Sequence, residues 1–124
     1  YKIAINQTGR FADITFFGGV TKEELERVFA ALIEHPDFFY NINALYDYSD
    51  AYPEIEMSDI EEHAQFVAEH LYLRGKNYKL AMVATDTLSN ALSQVYKLLI
   101  SKTSVEAEVF NRRKDAVNWL LSED

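Results

Sequence analysis

The sequence predicts an α/β fold with one mixed, mostly parallel five-stranded sheet and four helices, in the order β-β-α-β-α-β-α-β-α. The strongest indication is residues 80–84, a continuous apolar run that suits a strand buried on both faces. Asp86 or Thr87 can cap the next helix, in which apolar residues recur at helical spacing: Leu88, Ala91, Leu92, Val95 and Leu99. Strand-like and helix-like segments also alternate along the whole chain, which is typical of helices packed on a sheet.

The first two strands are expected to pair as an antiparallel hairpin. Residues 3–5 are short and β-prone, and a turn follows at 7–10. Apolar residues at 12, 14 and 16 then alternate with polar ones, which indicates a half-buried strand. Gly18 and Gly19 are expected to end this second strand.

Two capping-box sequences predict helix starts. The first begins at Thr21, and its helix is expected to end at His35, because the residue before a proline disfavours the helical conformation. The second capping box pairs Ser58 with Glu61, and Gly75 is the expected C-terminal cap of that helix.

The remaining segments complete the alternation. A third strand is predicted over residues 42–48, and a polar, acidic loop is expected at 49–57. Residues 105–109 alternate as a strand with one face in water, which suggests an edge position, and 112–122 are expected to form the last helix.

Length and composition limit the kinds of protein this can be. The 124 residues predict one domain, spanning 1–124. No apolar run reaches the roughly 20 residues of a membrane span, and no signal peptide is recognisable, although residues preceding Tyr1 stay an open alternative. The absence of cysteine excludes thiol chemistry and fits a reducing compartment, so we expect a cytoplasmic protein. A net charge of −8 argues against nucleic acid as a partner.

Aromatic residues make up 14% of the chain, with eight Tyr, eight Phe and one Trp. Such rings fill cores, and they also line interfaces and pockets. The core interpretation is favoured, and the interface or pocket stays open as its alternative.

The order of elements resembles STAS domains, named for sulfate transporters and anti-sigma-factor antagonists, and especially their SpoIIAA-like relatives. The resemblance covers nearly the whole chain. It rests on that order, on the K-L-A-M-V strand at 79–83 with its helix, and on the ending V-E-A-E-V-F at 105–110 followed by D-A-V-N-W-L at 115–120. It implies a non-enzymatic regulatory or interaction module that binds a protein partner.

The resemblance also implies a candidate phosphorylation switch. In STAS anti-sigma antagonists a serine or threonine at the start of the second helix is phosphorylated, and Ser58 lies at the corresponding place. Asp47, Tyr48 and Ser49 resemble the end of the family's preceding strand. The alternative for Ser58 is a capping role, which would account for it without phosphorylation.

Ligands of parallel sheets bind beyond the carboxyl ends of the strands. That edge is expected to gather a set of acidic, hydroxyl and aromatic side chains, which are our candidate partner or ligand residues: Asp47, Tyr48, Ser49, Asp50, Tyr52, Glu54 and Asp86. Capping and turn roles are favoured for the acids over catalysis, and no cofactor, metal or catalytic residue is predicted. His63 and Asp59, four residues apart, are expected to form a surface ion pair.

Three functions remain open. The favoured one is the interaction module, with the acidic loop, including Tyr52 and Glu54, recognising a basic partner. The alternatives are a binder of a lipid or other apolar ligand, and an enzyme that uses the strand-end acids. A homodimer is also expected, because apolar residues lie outside the predicted core stripes of two helices: Phe66, Tyr72, Leu73, Tyr96, Leu98 and Ile100.

Overall fold

A computed structural model describes residues 1–122, and it confirms the predicted fold class. The elements follow in this order: β1 Lys2–Asn6, β2 Phe11–Val20, α1 Lys22–Glu34, β3 Asn43–Pro53, α2 Met57–Glu69, α3 Leu71–Arg74, β4 Lys79–Val83, α4 Thr87–Ile100, β5 Glu106–Phe110 and α5 Arg113–Leu121. The strands lie side by side in sequence order, β1 antiparallel to β2 and the other pairs parallel. β5 therefore occupies an edge, as its alternating pattern predicts.

The sheet has two unequal covered faces. Helices α1, α2 and α4 lie on one face, over a large core that contains Ile14, Phe16 and Met82. Helix α5 covers the other face with a smaller cluster, in which Leu45 and Val83 contact it. β4 is buried on both faces, so its uninterrupted apolar run identified it correctly.

There are five helices within residues 1–122, not the four predicted, because α2 is interrupted at His70. The His70 backbone N–H bonds Val67 O at 3.0 Å, which is the tighter i−3 bond. The imidazole Nδ1 of His70 instead lies 2.6 Å from Phe66 O, the carbonyl that a continuing α-helix would use. The short α3 follows and ends at Gly75, whose φ is +114°.

β2 and β3 run beyond the rest of the sheet. β1 pairs with β2 only as far as Thr15, and β4 pairs with β3 only as far as Asp47. Residues 16–20 and 48–53 therefore pair only with each other, and we call this two-stranded extension the ribbon. It is the feature of the fold that builds the candidate site.

The ribbon corrects two predictions. Gly18 and Gly19 do not end β2, which continues to Val20. Gly18 has a φ of +65° within the strand, a conformation that glycine adopts readily. The prediction of an acidic loop at 49–57 is wrong, because β3 continues to Pro53. A register shift against β2 adds Ser49 to β3 as an extra residue. Asp47 fixes this bulge, since its Oδ1 accepts bonds from Ser49 N at 2.9 Å and Ser49 Oγ at 2.6 Å.

The buried face of α4 is rotated from the predicted stripe. Leu88 is 58% exposed, whereas the buried positions are Ser89, Ser93, Tyr96 and Ile100. The helix packs against α2 as well as the sheet, and small serines allow that close approach. Among residues 1–122 no helix is long and apolar enough to cross a membrane.

Candidate functional site

A recess lies between the ribbon, α2 and α4, on the helix-covered face of the sheet, and it extends from Leu80 and Met82 of β4 to the carboxyl ends of β2 and β3. Its cavity measures about 50 Å³, and the whole recess, including its open mouth, holds about 580 Å³ of empty space. The lining is mostly apolar: Val20, Leu25, Tyr46, Tyr48, Ala51, Tyr52, Pro53, Ile55, Ile60, His63, Leu80, Met82, Ser89, Leu92, Ser93 and Tyr96. Its ribbon side lies at the carboxyl ends of β2 and β3, the position where ligands of parallel sheets bind.

Local sequence explains how the recess forms. The bulge at Ser49 adds a residue to β3 at the level where β2 passes from Thr15 to Phe17. Because of that extra residue, Tyr48 and Ala51 both line the recess although they are three apart. Ser89 and Ser93 line the opposite wall, one helical turn apart on α4, where larger side chains would fill the space.

Among the described residues, His63 is the one histidine in this lining, which contains no acidic side chain. It is only 4% exposed, and its ring stacks on Tyr96 at 5.6 Å and on Phe66 at 6.2 Å between centroids. Its Nδ1 is buried with no hydrogen-bond partner within residues 1–122. Burial, and to a lesser extent the charge of Lys22, lower the pKa of His63 to about 4, so the imidazole is neutral at pH 7.

The predicted surface ion pair between His63 and Asp59 is therefore wrong. Asp59 accepts a bond from Glu56 N at 2.8 Å and so caps α2, whereas His63 points into the protein. The 3.6-residue period places His63 on the same face as Ile60 and Val67, and this alignment is the sequence observation that could have revealed its burial.

Three tyrosines also line the recess, and a buried arginine lies outside the lining. Burial raises the pKa values of Tyr46, Tyr48 and Tyr96, so their hydroxyls stay protonated. Arg74 is 2% exposed, stacks over the Tyr78 ring at 3.7 Å and donates to Ile42 O at 2.6 Å. Burial lowers the pKa of Arg74, while the neighbouring tyrosines oppose that shift. Arg74 thus joins α3 to the start of β3 and does not line the recess.

Comparison with known proteins places this geometry in a family. A family model described as SpoIIAA-like matches residues 11–121. The chain belongs to the SpoIIAA-like family. This family includes anti-sigma-factor antagonists. A comparison with curated proteins finds no significant match.

A solved structure has the same SpoIIAA-like fold. It is an uncharacterized protein of the DUF3478 family from Shewanella loihica PV-4, with 19% sequence identity and a TM-score of 0.62. The match covers 96% of this chain and 90% of that one. At this identity the likeness concerns the fold alone.

The strand-end acids of this SpoIIAA-like protein do not converge. Asp47 is bound to Ser49 and also accepts a bond from Arg113 at 3.2 Å, while Arg113 pairs with Asp13 as well. These carboxylates raise the pKa of Arg113. The cluster fastens α5 to β2 and β3, on the sheet face opposite the recess. No group of three or more potential metal ligands exists within residues 1–122.

The other candidate residues are dispersed. Asp86 caps α4 by accepting a bond from Ser89 N at 2.8 Å, and bonds to the Ser89 backbone and side chain lower its pKa. Asp50 and Glu54 are exposed on the ribbon and just after it. Tyr48 and Tyr52 line the recess, so two of the seven candidates belong to the pocket.

Ser58 does not have the predicted capping role. α2 begins two residues earlier, with Glu56 as N-cap and Asp59 as the side chain that bonds back to it. Acidic residues at 56 and 59 compete with Ser58 for the cap, and the chain enters the helix through them. Ser58 is exposed in the first turn, which leaves its hydroxyl accessible.

The helical surface expected to support a dimer is partly absent. Tyr96 and Ile100 are buried in the core, and Phe66 is half-buried against Phe29 and His63. Leu98, Tyr72 and Leu73 are exposed. The homodimer stays a prediction that now depends on these three side chains.

Proposed function

We propose that this SpoIIAA-like chain is a non-enzymatic binding module whose recess takes a small, mostly apolar ligand. The recess itself carries the proposal: a mostly apolar chamber between the sheet face, the ribbon, α2 and α4, with a few polar groups inside. Protein sites for small molecules combine these two properties. In the sequence analysis, apolar-ligand binding was the alternative to a protein-interaction module. We now favour ligand binding because of this recess.

The energetics favour an apolar occupant. Each 100 Å² of apolar ligand surface removed from water contributes roughly 2.5 kcal/mol before the costs of association. Within residues 1–122 the lining contains no Asp, Glu, Lys or Arg side chain. A charged ligand would lose its hydration there without gaining an ionic partner.

The small volume of the cavity indicates that the recess opens when a ligand binds. The cavity of 50 Å³ is about one third of the roughly 150 Å³ of a cavity that holds benzene. The remaining empty space of the recess includes its solvent-open mouth. Because the ribbon strands pair only with each other, their outward movement breaks no hydrogen bond to the remainder of the sheet.

The absence of a catalytic role is part of the proposal. Asp47 is held by Ser49 and Arg113, and Asp86 caps a helix. Both carboxylates are thus committed to structural bonds. Neither lines the recess, where a substrate would bind.

Methyl-resolved NMR with 1-hexanol as probe tests the proposal. We expect concentration-dependent shifts at recess methyls such as Met82 and Leu92, with little change at Leu45 and Val83 beneath α5. A dissociation constant in the millimolar range, on the order expected for so few ligand atoms, would suffice.

Two leucine substitutions on α4 provide the control. Ser93→Leu fills the recess and is expected to abolish the shifts, whereas Ser101→Leu lies on the exposed helix end and should preserve them. Shifts that persist in Ser93→Leu, or that occur only outside the recess in the wild type, would refute a ligand site here.

A second candidate is the protein-interaction module that the family resemblance implies. Its support is a group of exposed apolar side chains at the same end of the molecule, on the ribbon and on the first turns of α2 and α4: Phe17, Tyr52, Met57 and Leu88. Accessible Ser58 lies at this end too, so phosphate added there would change the surface charge. The partner is proposed to be a protein.

Capture from a lysate of the host tests this candidate. Phe17→Ser combined with Tyr52→Ser is expected to abolish capture of a specific protein, and Tyr72→Ser on distant α3 should not. Equal capture by both variants would exclude the ribbon end as the interaction surface. Ser58→Asp against Ser58→Ala then measures whether negative charge at this position alters capture.

A further inference from the structure

We infer that the recess selects neutral, hydroxyl-bearing apolar molecules over carboxylates, with the ring of His63 as the polar anchor. This inference rests on the proposed function and names the class of its ligand. It depends on three observations: an unpartnered buried imidazole, the absence of fixed charge around it, and the arrangement of the other polar groups.

The first observation is His63 itself. His63 is only 4% exposed, and its Nδ1 has no hydrogen-bond partner within residues 1–122. A buried polar atom without a hydrogen bond is destabilising, and a ligand hydroxyl that reaches the ring can recover part of the lost bonding. Stacking on Phe66 and Tyr96 fixes the ring plane and so orients the bond.

The protonation state explains why a hydroxyl suits this ring. Neutral imidazole has one donor and one acceptor nitrogen, and a hydroxyl can serve either of them. A carboxylate can only accept, and it would gain a cationic partner only if the ring became charged. The low pKa of His63 makes that protonation unfavourable at pH 7.

Charges near the ring do not provide an anion site. Lys22 is the cation whose field reaches His63, but its ammonium group is paired with Glu62 at 2.7 Å. Arg74 bonds Ile42 O and stacks on Tyr78, outside the lining. The net charge of −8 further disfavours the approach of anions.

The remaining polar side chains are also neutral. Ser89 and Ser93 line the α4 wall, and Tyr46, Tyr48 and Tyr96 keep protonated hydroxyls because burial raises their pKa values. A ligand hydroxyl therefore meets neutral donors and acceptors only. The apolar residues on the ribbon side accommodate its hydrocarbon part.

Matched six-carbon probes test this inference: 1-hexanol and hexanoate at pH 7, titrated into the full chain and followed at the recess methyls. We expect hexanol to bind at least tenfold more tightly. We also expect a change in the imidazole ¹⁵N shifts of His63 on hexanol addition, which reports the hydrogen bond directly and needs no variant.

Phenylalanine substitutions separate His63 from its surroundings. His63→Phe keeps an aromatic ring but removes the nitrogens, and it is expected to weaken hexanol binding about fivefold, the loss of one neutral hydrogen bond. His35→Phe is the same change at the end of α1, outside the lining, and should leave hexanol binding unchanged.

Each other outcome has a definite meaning. Hexanoate that binds in the recess as tightly as hexanol overturns the ligand class while the proposed pocket function stands. Hexanol binding that is indifferent to His63→Phe, with unchanged imidazole shifts, overturns the anchor role. If neither probe shifts the recess methyls, both this inference and the proposed function fail.

Discussion

A neutral imidazole is buried at position 63, and folding therefore opposes its protonation. The pKa of His63 falls from 6.5 to about 4 in the folded protein because of burial. Between these values the unfolded chain binds a proton that the native protein does not. The contribution of this residue to stability is complete above pH 6.5 and is lost as the pH falls towards 4.

We expect that loss to reach about 3 kcal/mol, the free energy of a shift of this size. Urea unfolding at pH 7 and at pH 4.5 measures most of this loss, about 2 kcal/mol, because the loss is complete only below pH 4. His63→Phe should flatten the pH dependence in this interval, and His70→Phe should retain it. A wild-type stability that is constant between these two pH values would show that His63 is not buried as a neutral ring.

Asp47 illustrates a strand-end acid with a structural role. Its carboxylate accepts three bonds, from the backbone and hydroxyl of Ser49 and from Arg113. We expect Asp47→Ala to lower the free energy of unfolding by about 2–3 kcal/mol, because bonds to a charged group are lost at a nearly buried position. Chemical denaturation gives this value.

The matched control for Asp47 is Asp50→Ala, three residues further along the ribbon. Asp50 is exposed, so its removal should change stability by less than about 0.5 kcal/mol. Equal effects of the two substitutions would contradict the structural role assigned to Asp47.

At the scale of elements, the start of α2 depends on acids and not on Ser58. Asp59 bonds back to Glu56 N, so Asp59→Ala is expected to cost about 1 kcal/mol. Ser58→Ala should cost less than about 0.5 kcal/mol, because its hydroxyl caps nothing. Thermal melts of both variants decide the matter, and a larger loss for Ser58→Ala would restore the capping box predicted at Ser58.

Two glycines differ in what their backbone conformation requires. At Gly75 an added Cβ would collide with the backbone and side chain of Asn41 at a positive φ, so Gly75→Ala should cost at least about 3 kcal/mol. Gly18 has φ +65° but open space around it, and Gly18→Ala should cost about 1 kcal/mol.

Equilibrium unfolding of these two variants measures the difference. A Gly18→Ala loss as large as that of Gly75→Ala would mean that the ribbon is packed more tightly than the structure shows.

Elements were predictable from sequence where a local rule decides them. Thr21 and Asp86 cap their helices as predicted, because each bonds a backbone N–H three residues on. The course of β3 beyond Asp47 was not predictable, since a bulge bonded through Ser49 replaces the pattern of a loop. The rotation of α4 likewise depends on its contact with α2, which no periodicity within α4 encodes.

The residues of the candidate site were likewise predictable from sequence only in part. Tyr48 and Tyr52 were candidates because the carboxyl end of a parallel strand is a general binding position, and both line the recess. His63, Ser89 and Ser93 were not candidates, because their importance depends on burial across three elements. A histidine on the apolar face of α2 was the one available indication.

At the scale of the whole molecule, the two ends of the sheet differ. The carboxyl ends of the parallel strands carry the recess, the ribbon and a set of exposed apolar side chains. Small-ligand binding and partner binding would therefore occur next to each other. A ligand that displaces the ribbon would also move Phe17 and Tyr52, which gives a physical route by which the two proposed activities could be coupled.

A crystal structure of the protein grown with 1-hexanol is the most direct test of the ligand site. We expect one hexanol molecule in the recess, with its hydroxyl within about 3 Å of a nitrogen of His63 and the ribbon displaced outward. A structure in which hexanol occupies only outer surfaces, while the recess keeps its present walls at full probe concentration, would contradict the account.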